Sequence, residues 1–184
     1  VAETLATSQI TIKRMAKQPF TVDYTKHQEM MDEWALAIGR FMVQFTSYEY
    51  WTYQYIKTFG SDRLSRATSD LMLNSRAPVA ESLVLEIGLV PEMQNRVQAA
   101  FKKLKGLASS RNLVAHNGPM MHVYTNAEGQ MLLQIELRSS KDEEKQITIE
   151  RLNQLSAEAR TLDEELALLY GEVQQKKNQV AAGQ

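Results

Sequence analysis

The stretch MDEWALAIGRFMVQFTSYEYWTYQYIKTF, residues 31 to 59, decides how this chain folds. Met31, Trp34, Ile38, Phe41, Phe45, Tyr48, Thr52, Tyr55 and Phe59 step three and four positions apart without a break. That period belongs to a helix seam in a near-parallel bundle, not to a helix laid on a sheet. The helix is expected over residues 23 to 59. Ala35, Met42, Glu49 and Ile56 form a second row at sevenfold spacing beside it. Glu49 is the odd member, a carboxylate between apolar residues on the inward side. A buried charge needs a partner, and acidic residues are rarely buried unpaired. Two readings stand: Glu49 snorkels at the bundle edge, or it pairs with an Arg, for which Arg111 is a candidate. Tyr48, Tyr50, Trp51, Tyr53 and Tyr55 point all around the helix, so they read as core and interface rather than a base-stacking platform. With Tyr50 and Trp51, the helix has more large apolar side chains than one face can bury, and this surplus predicts a homodimer.

Outward from this helix, the first 24 residues are mixed and polar, and read as an arm with a short strand over Gln9-Ile10-Thr11-Ile12-Lys13. Gly60-Ser61-Asp62 ends the long helix and caps a short one over residues 64 to 73. Ser75 offers an N-cap ahead of Pro78 in a first turn, and Val79, Leu83, Val84 and Ile87 mark the inward face before Gly88. Pro91 opens the next helix at its preferred first position. Val97, Ala100, Phe101, Leu104, Leu107 and Ala108 give its stripe. Lys102, Lys103 and Lys105 make a local basic cluster on its outer side, which reads as a solvated face. After Pro119 the period changes to two. Met121, Val123, Thr125, Met131, Leu133, Ile135 and Leu137 alternate around Asn126-Ala127-Glu128-Gly129, a β-hairpin with a four-residue turn, while His122 and Tyr124 take its other face. Thr148 can cap a last helix striped by Leu152, Leu155, Ala159, Leu162, Leu166, Leu169 and Val173. The tail from 174 onward is expected to fray.

The expected class is therefore all-α: an antiparallel bundle of about four major helices with an inserted β-hairpin near residues 120 to 138. Residues 25 to 175 form a single domain, flanked by the arm (1 to 24) and the tail (176 to 184). A chain of 184 residues is long enough for one real core. The net charge of −1 gives no global electrostatic case for nucleic acid. There is no cysteine, so disulfides and thiolate metal sites are excluded. With no apolar run long enough to cross a membrane and no signal-peptide layout at the start, the expectation is a cytoplasmic protein with no membrane association.

The chemistry concentrates in Arg111-Asn112-Leu113-Val114-Ala115-His116-Asn117-Gly118, which closes the helix opened by Pro91. Asn112 and His116 are four apart and share a face. Arg111 and His116 are five apart, about 140° around the helix, so the guanidinium has to bend back to reach that face. The negative helix end favours the imidazolium. Asn117 tolerates left-handed φ, and Gly118-Pro119 cannot continue the helix. An ordinary basic helix end is the bland reading; an anion site holding a proton-transfer group is the sharper one.

Arg111, polar Asn112, three further positions and His116, at the end of the third major helix, resemble the signature of the HEPN superfamily. These are small all-α domains of prokaryotic toxins, anti-phage systems and some eukaryotic RNases. The resemblance covers residues 25 to 175, and Gly39-Arg40 with the Glu49 region is similar more loosely. It implies a homodimer whose two motifs share a cleft, and metal-independent endoribonuclease activity without cofactor or metal. In that picture His116 moves protons, Arg111 holds the phosphate, Asn112 orients His116 or contacts the phosphate, Glu49 supports Arg111 from behind, and Lys102, Lys103 and Lys105 are candidate RNA contacts. The resemblance also implies a toxin–antitoxin or anti-phage setting with an antitoxin or regulator as partner. Gly118 stands where the subgroup neutralised by nucleotidyltransferase antitoxins has Tyr, which argues against that partner. Non-catalytic relatives imply the alternative, a nucleotide- or protein-binding and dimerisation module.

Overall fold

The computed structural model describes residues 10–12, 20–22, 24–125, 131–142 and 144–182. Of the N-terminal arm, strand β1 (Ile10–Ile12) pairs antiparallel with β2 (Phe20–Val22), Ile10 opposite Val22. The rest of the arm lies outside the described residues. Helix α1 (Tyr24–Phe59) follows the three-and-four pattern. Trp34, Phe41, Phe45, Tyr48, Thr52 and Tyr55 are buried, and Met31, Ile38 and Phe59 are half-buried.

The Ser61 hydroxyl accepts the Leu64 N–H at 3.2 Å and caps α2 (Asp62–Thr68). This helix stops sooner than its apolar residues suggest. Helix α3 (Leu73–Leu85) begins ahead of Ser75, on Met72, with no side-chain cap. Pro78 is thus inside the helix and not in its first turn. Pro78 removes one helical hydrogen bond, tolerable here because both Asn74 and Pro78 are exposed. Arg76 of α3 reaches Glu49, and Leu83 stands beside Gly60, so α3 runs parallel to the second half of α1. Gly88, at φ 80°, makes the turn out of α3.

Helix α4 (Pro91–His116) runs back along α1. Phe101 packs edge-on to Tyr55 at 5.5 Å, and Arg111 lies over Phe45. Strands β3 (Pro119–Thr125) and β4 (Met131–Arg138) form the expected hairpin, in register from Pro119 opposite Leu137 to Thr125 opposite Met131. The expected turn at 126–129 lies outside the described residues. Strand β5 (Gln146–Ile147) adds to β4, with Leu137 opposite Ile147. Ile135, Leu137 and Ile147 are buried in the helical core. That end of the hairpin's apolar face therefore closes one end of the bundle, whereas Val123, further along the same face, is exposed; the opposite face carries His122, Gln134, Glu136 and Arg138.

Thr148 accepts the Arg151 N–H and caps α5 (Ile149–Ala182). Trp51 with Asp163, Tyr55 with Leu166 and Thr58 with Tyr170 ascend together, so α5 is parallel to α1. Arg96 with Glu172 and Lys103 with Glu165 make it antiparallel to α4. One helix, α4, thus runs against the other three long ones. The tail does not fray where expected. The helix continues to Ala182, and Lys177 donates to the Thr58 carbonyl at 2.7 Å. Trp51, counted toward the interface surplus, is half-buried within the chain's own fold. Its indole donates to Asp163 at 2.8 Å and packs on Tyr170, whereas Tyr50 is exposed.

Candidate functional site

Helix α4 ends differently from its expected cap. Asn117 is extended, at φ −135° and ψ 134°, not left-handed. Its side chain does the capping. Nδ2 donates to the Leu113 carbonyl at 2.8 Å, and Oδ1 accepts the Ser140 N–H at 3.1 Å. One amide thus terminates the helix and ties it to the loop after β4.

That clamp shapes a polar pocket of about 490 Å³ lined by His116, Asn117, Gly118, Met120, His122, Arg138, Ser139 and Ser140. His116 is exposed in the last turn of α4. His122 and Arg138 come from the polar face of the hairpin. Between them lies Glu136, only 1% exposed. Its carboxylate pairs with Arg138, stands 3.6 Å from His122 Nε2, an ion-pairing distance when that imidazole is protonated, and accepts from Gln134. Arg138 also donates to Gln146 at 3.3 Å. A buried carboxylate therefore holds the groups that line the pocket floor.

Arg111 does not line this pocket. It is half-buried against α1, with its guanidinium 5.3 Å from the centre of the Phe45 ring, and Nη1 donates to Asn112 at 3.3 Å. Among the described residues, its buried Nε and the buried Tyr48 hydroxyl have no hydrogen-bond partner. Burial pushes the Tyr48 phenol far above its ordinary ionisation range; neighbouring Glu49 adds to this and Arg111 opposes it. Asn112 is exposed beside His116.

Glu49 is paired, but not with Arg111. Its partner is Arg76, at 2.7 Å and 1% exposed. Arg76 also donates to Thr52 Oγ1, the Tyr53 hydroxyl and the Leu71 carbonyl, and it stacks 3.5 Å over the Tyr53 ring. A guanidinium so fully occupied is a strut between α1 and α3. The three lysines do not form one patch. Lys103 pairs with Glu165 and Lys105 with Glu81, on opposite flanks of α4, while Lys102 is exposed.

A larger groove, about 650 Å³, runs between α4 and α5 past Gly106, Leu107, Ser110, Leu155 and Leu162. Its charged rim includes Lys103, Arg151 and Glu158, all in ion pairs. It holds no imidazole, so the smaller pocket is the better chemical candidate despite its size. Among the described residues, no three His, Asp or Glu side chains are grouped to hold a metal ion. No helix among them is long and apolar enough to cross a membrane.

Sequence reasoning singled out His116 but passed over Glu136 and Arg138. Their signal was available. Gln134, Glu136 and Arg138 alternate with Ile135 and Leu137, and the register sets His122 opposite Gln134 and diagonal to Glu136. No protein-family model, curated protein or solved structure matches this chain.

Proposed function

We propose that this protein is a metal-independent endoribonuclease acting at the pocket between the end of α4 and the hairpin. The observation that carries the reading is two imidazoles and a guanidinium, His116, His122 and Arg138, lining one pocket. Cleavage by RNA's own 2′-OH needs little else. One imidazole takes the 2′-OH proton as the 2′-oxygen bonds to phosphorus. The P–O5′ bond breaks, and the second imidazole, protonated, gives its proton to the leaving 5′-oxygen. A guanidinium offers planar, charge-assisted hydrogen bonds to the non-bridging oxygens as negative charge builds there. The products are a 2′,3′-cyclic phosphate and a 5′-hydroxyl. Glu136 holds the two hairpin groups, and Asn117 holds the wall that carries His116.

The HEPN resemblance leads to the same reaction with a different cation, Arg111. In this reading Arg111 steadies the α1–α4 contact beneath the site, and Asn112 is placed beside His116 to contact substrate. An RNase of this kind needs restraint in its own cell, which is the basis for proposing a cytoplasmic toxin–antitoxin or anti-phage setting with an antitoxin or regulator.

The test is cleavage of a broad RNA panel in EDTA. His116→Ala and His122→Ala should each lose about 100- to 10,000-fold in rate, and the product should carry a cyclic phosphate. Arg138→Lys, which keeps a charge for Glu136, should lose rate while staying folded. Cleavage that requires added metal, or that survives both histidine substitutions, defeats the proposal. Folded protein that binds RNA through this pocket but never cleaves it would instead be the binding module.

A further inference from the structure

Helix α1 is apolar on two opposite faces, and the protomer uses only one of them. Leu36, Gly39, Val43, Thr46, Tyr50 and Tyr53 step three and four apart, all exposed, on the side turned away from the buried stripe. Leu36 is 55%, Val43 63% and Tyr50 55% exposed. Exposed Asp32 extends the row at one end and exposed Lys57 at the other.

We infer that this row is the seat of a second copy of the same chain, packed antiparallel along α1 about a two-fold axis level with the gap between Gln44 and Phe45. That axis sets Leu36 against Tyr53, Gly39 against Tyr50 and Val43 against Thr46 of the second copy, so the one glycine of the row faces a large ring. It also sets Asp32 against Lys57, twice by symmetry. A row acidic at its start and basic at its end complements itself only when reversed, and a two-fold contact requires that self-complementarity.

Gly39 is the second observation. Glycine is among the worst residues for a helix interior, yet a Cβ there meets nothing within 4 Å in the protomer. The protomer's own packing gives no reason for it, whereas a tyrosine ring from a second helix does. At the edge of the row, Arg76 beneath Tyr53 holds that ring in place. From Asp32 to Lys57 the seam is about 37 Å long. The inference rests on the outer face of α1 and is independent of the ribonuclease reading.

The test is sedimentation across a concentration series. Asp32→Lys and Lys57→Asp should each weaken the dimer about tenfold, and the two together in one chain should restore it. Gly39→Leu should weaken it without loss of helix signal. The chain has no cysteine, which permits a direct check of register. Gly39→Cys protein mixed with Tyr50→Cys protein should cross-link under mild oxidation. Gly39→Cys alone should not, because the two thiols would lie about 16 Å apart along the axis. A monomer at about 100 micromolar, self-cross-linking of Gly39→Cys, or no rescue by the folded charge swap would overturn the inference.

Discussion

Arg76→Ala should be among the most damaging single substitutions in this protein, and its magnitude follows from the contacts. The guanidinium is 1% exposed and donates to Glu49, Thr52, Tyr53 and the Leu71 carbonyl. Removing one member of a buried ion pair costs about 3–5 kcal/mol, because the other is left charged and unpaired. Glu49 is 26% exposed, so water relieves part of that penalty and the lower end applies. Thr52 already donates to the Glu49 carbonyl and is not orphaned. A loss of about 3 kcal/mol lowers the melting temperature by about 6–12 °C for a domain of this size. Urea unfolding followed by circular dichroism would measure it. Glu49→Gln combined with Arg76→Met should show a coupling above about 1 kcal/mol, while Glu49→Gln with Arg111→Ala should be additive. A cost below about 1 kcal/mol for Arg76→Ala, or coupling of Glu49 to Arg111 instead, would refute the assignment of Arg76 as the strut.

Two further outcomes can be measured on the same protein. Asn117→Ala removes the bonds to Leu113 and Ser140; it should cost about 1–2 kcal/mol and speed amide exchange at Ser140, and unchanged exchange there would refute the clamp. Burial raises Tyr48 and Tyr55 well above their ordinary value of 10.0, so their protons stay on the folded state after the unfolded chain has released them. Stability should be complete below about pH 10 and fall above it, by up to about 1.4 kcal/mol per pH unit for each tyrosine. A flat urea midpoint between pH 9.5 and 11.5 would contradict their burial.

The helices were legible because heptad spacing maps directly onto burial. The stripes of α1 and α5 and the hairpin after Pro119 all stand where their periods place them. What the spacing could not convey is which partner a buried polar group takes. Glu49 reads either as snorkelling at the edge or as needing a cation, with Arg111 a candidate, and nothing local reveals that α3 lies alongside α1 and delivers Arg76. The candidate site was half legible for the same reason. His116 is local to a helix end, whereas Glu136 and Arg138 reach it only through strand pairing. The cap at Asn117 misled differently: an Asn-Gly-Pro run suggests a left-handed stop, but a hydrogen bond to the distant Ser140 favours an extended one.

The parallel pairing of α1 with α5 has a consequence for biosynthesis. Trp51 and Asp163 are 112 residues apart in sequence. At ordinary translation rates of roughly 5–20 residues per second, the ribosome needs about 6–22 seconds to deliver α5 after α1 has emerged. For that interval the aromatic side chains of α1 that will meet α5 have no native cover. The nascent chain is therefore expected to be aggregation-prone over that interval, as a longer-lived partly folded state would be. A ribosome stalled before the last helix would release an aggregation-prone fragment, not a smaller working domain.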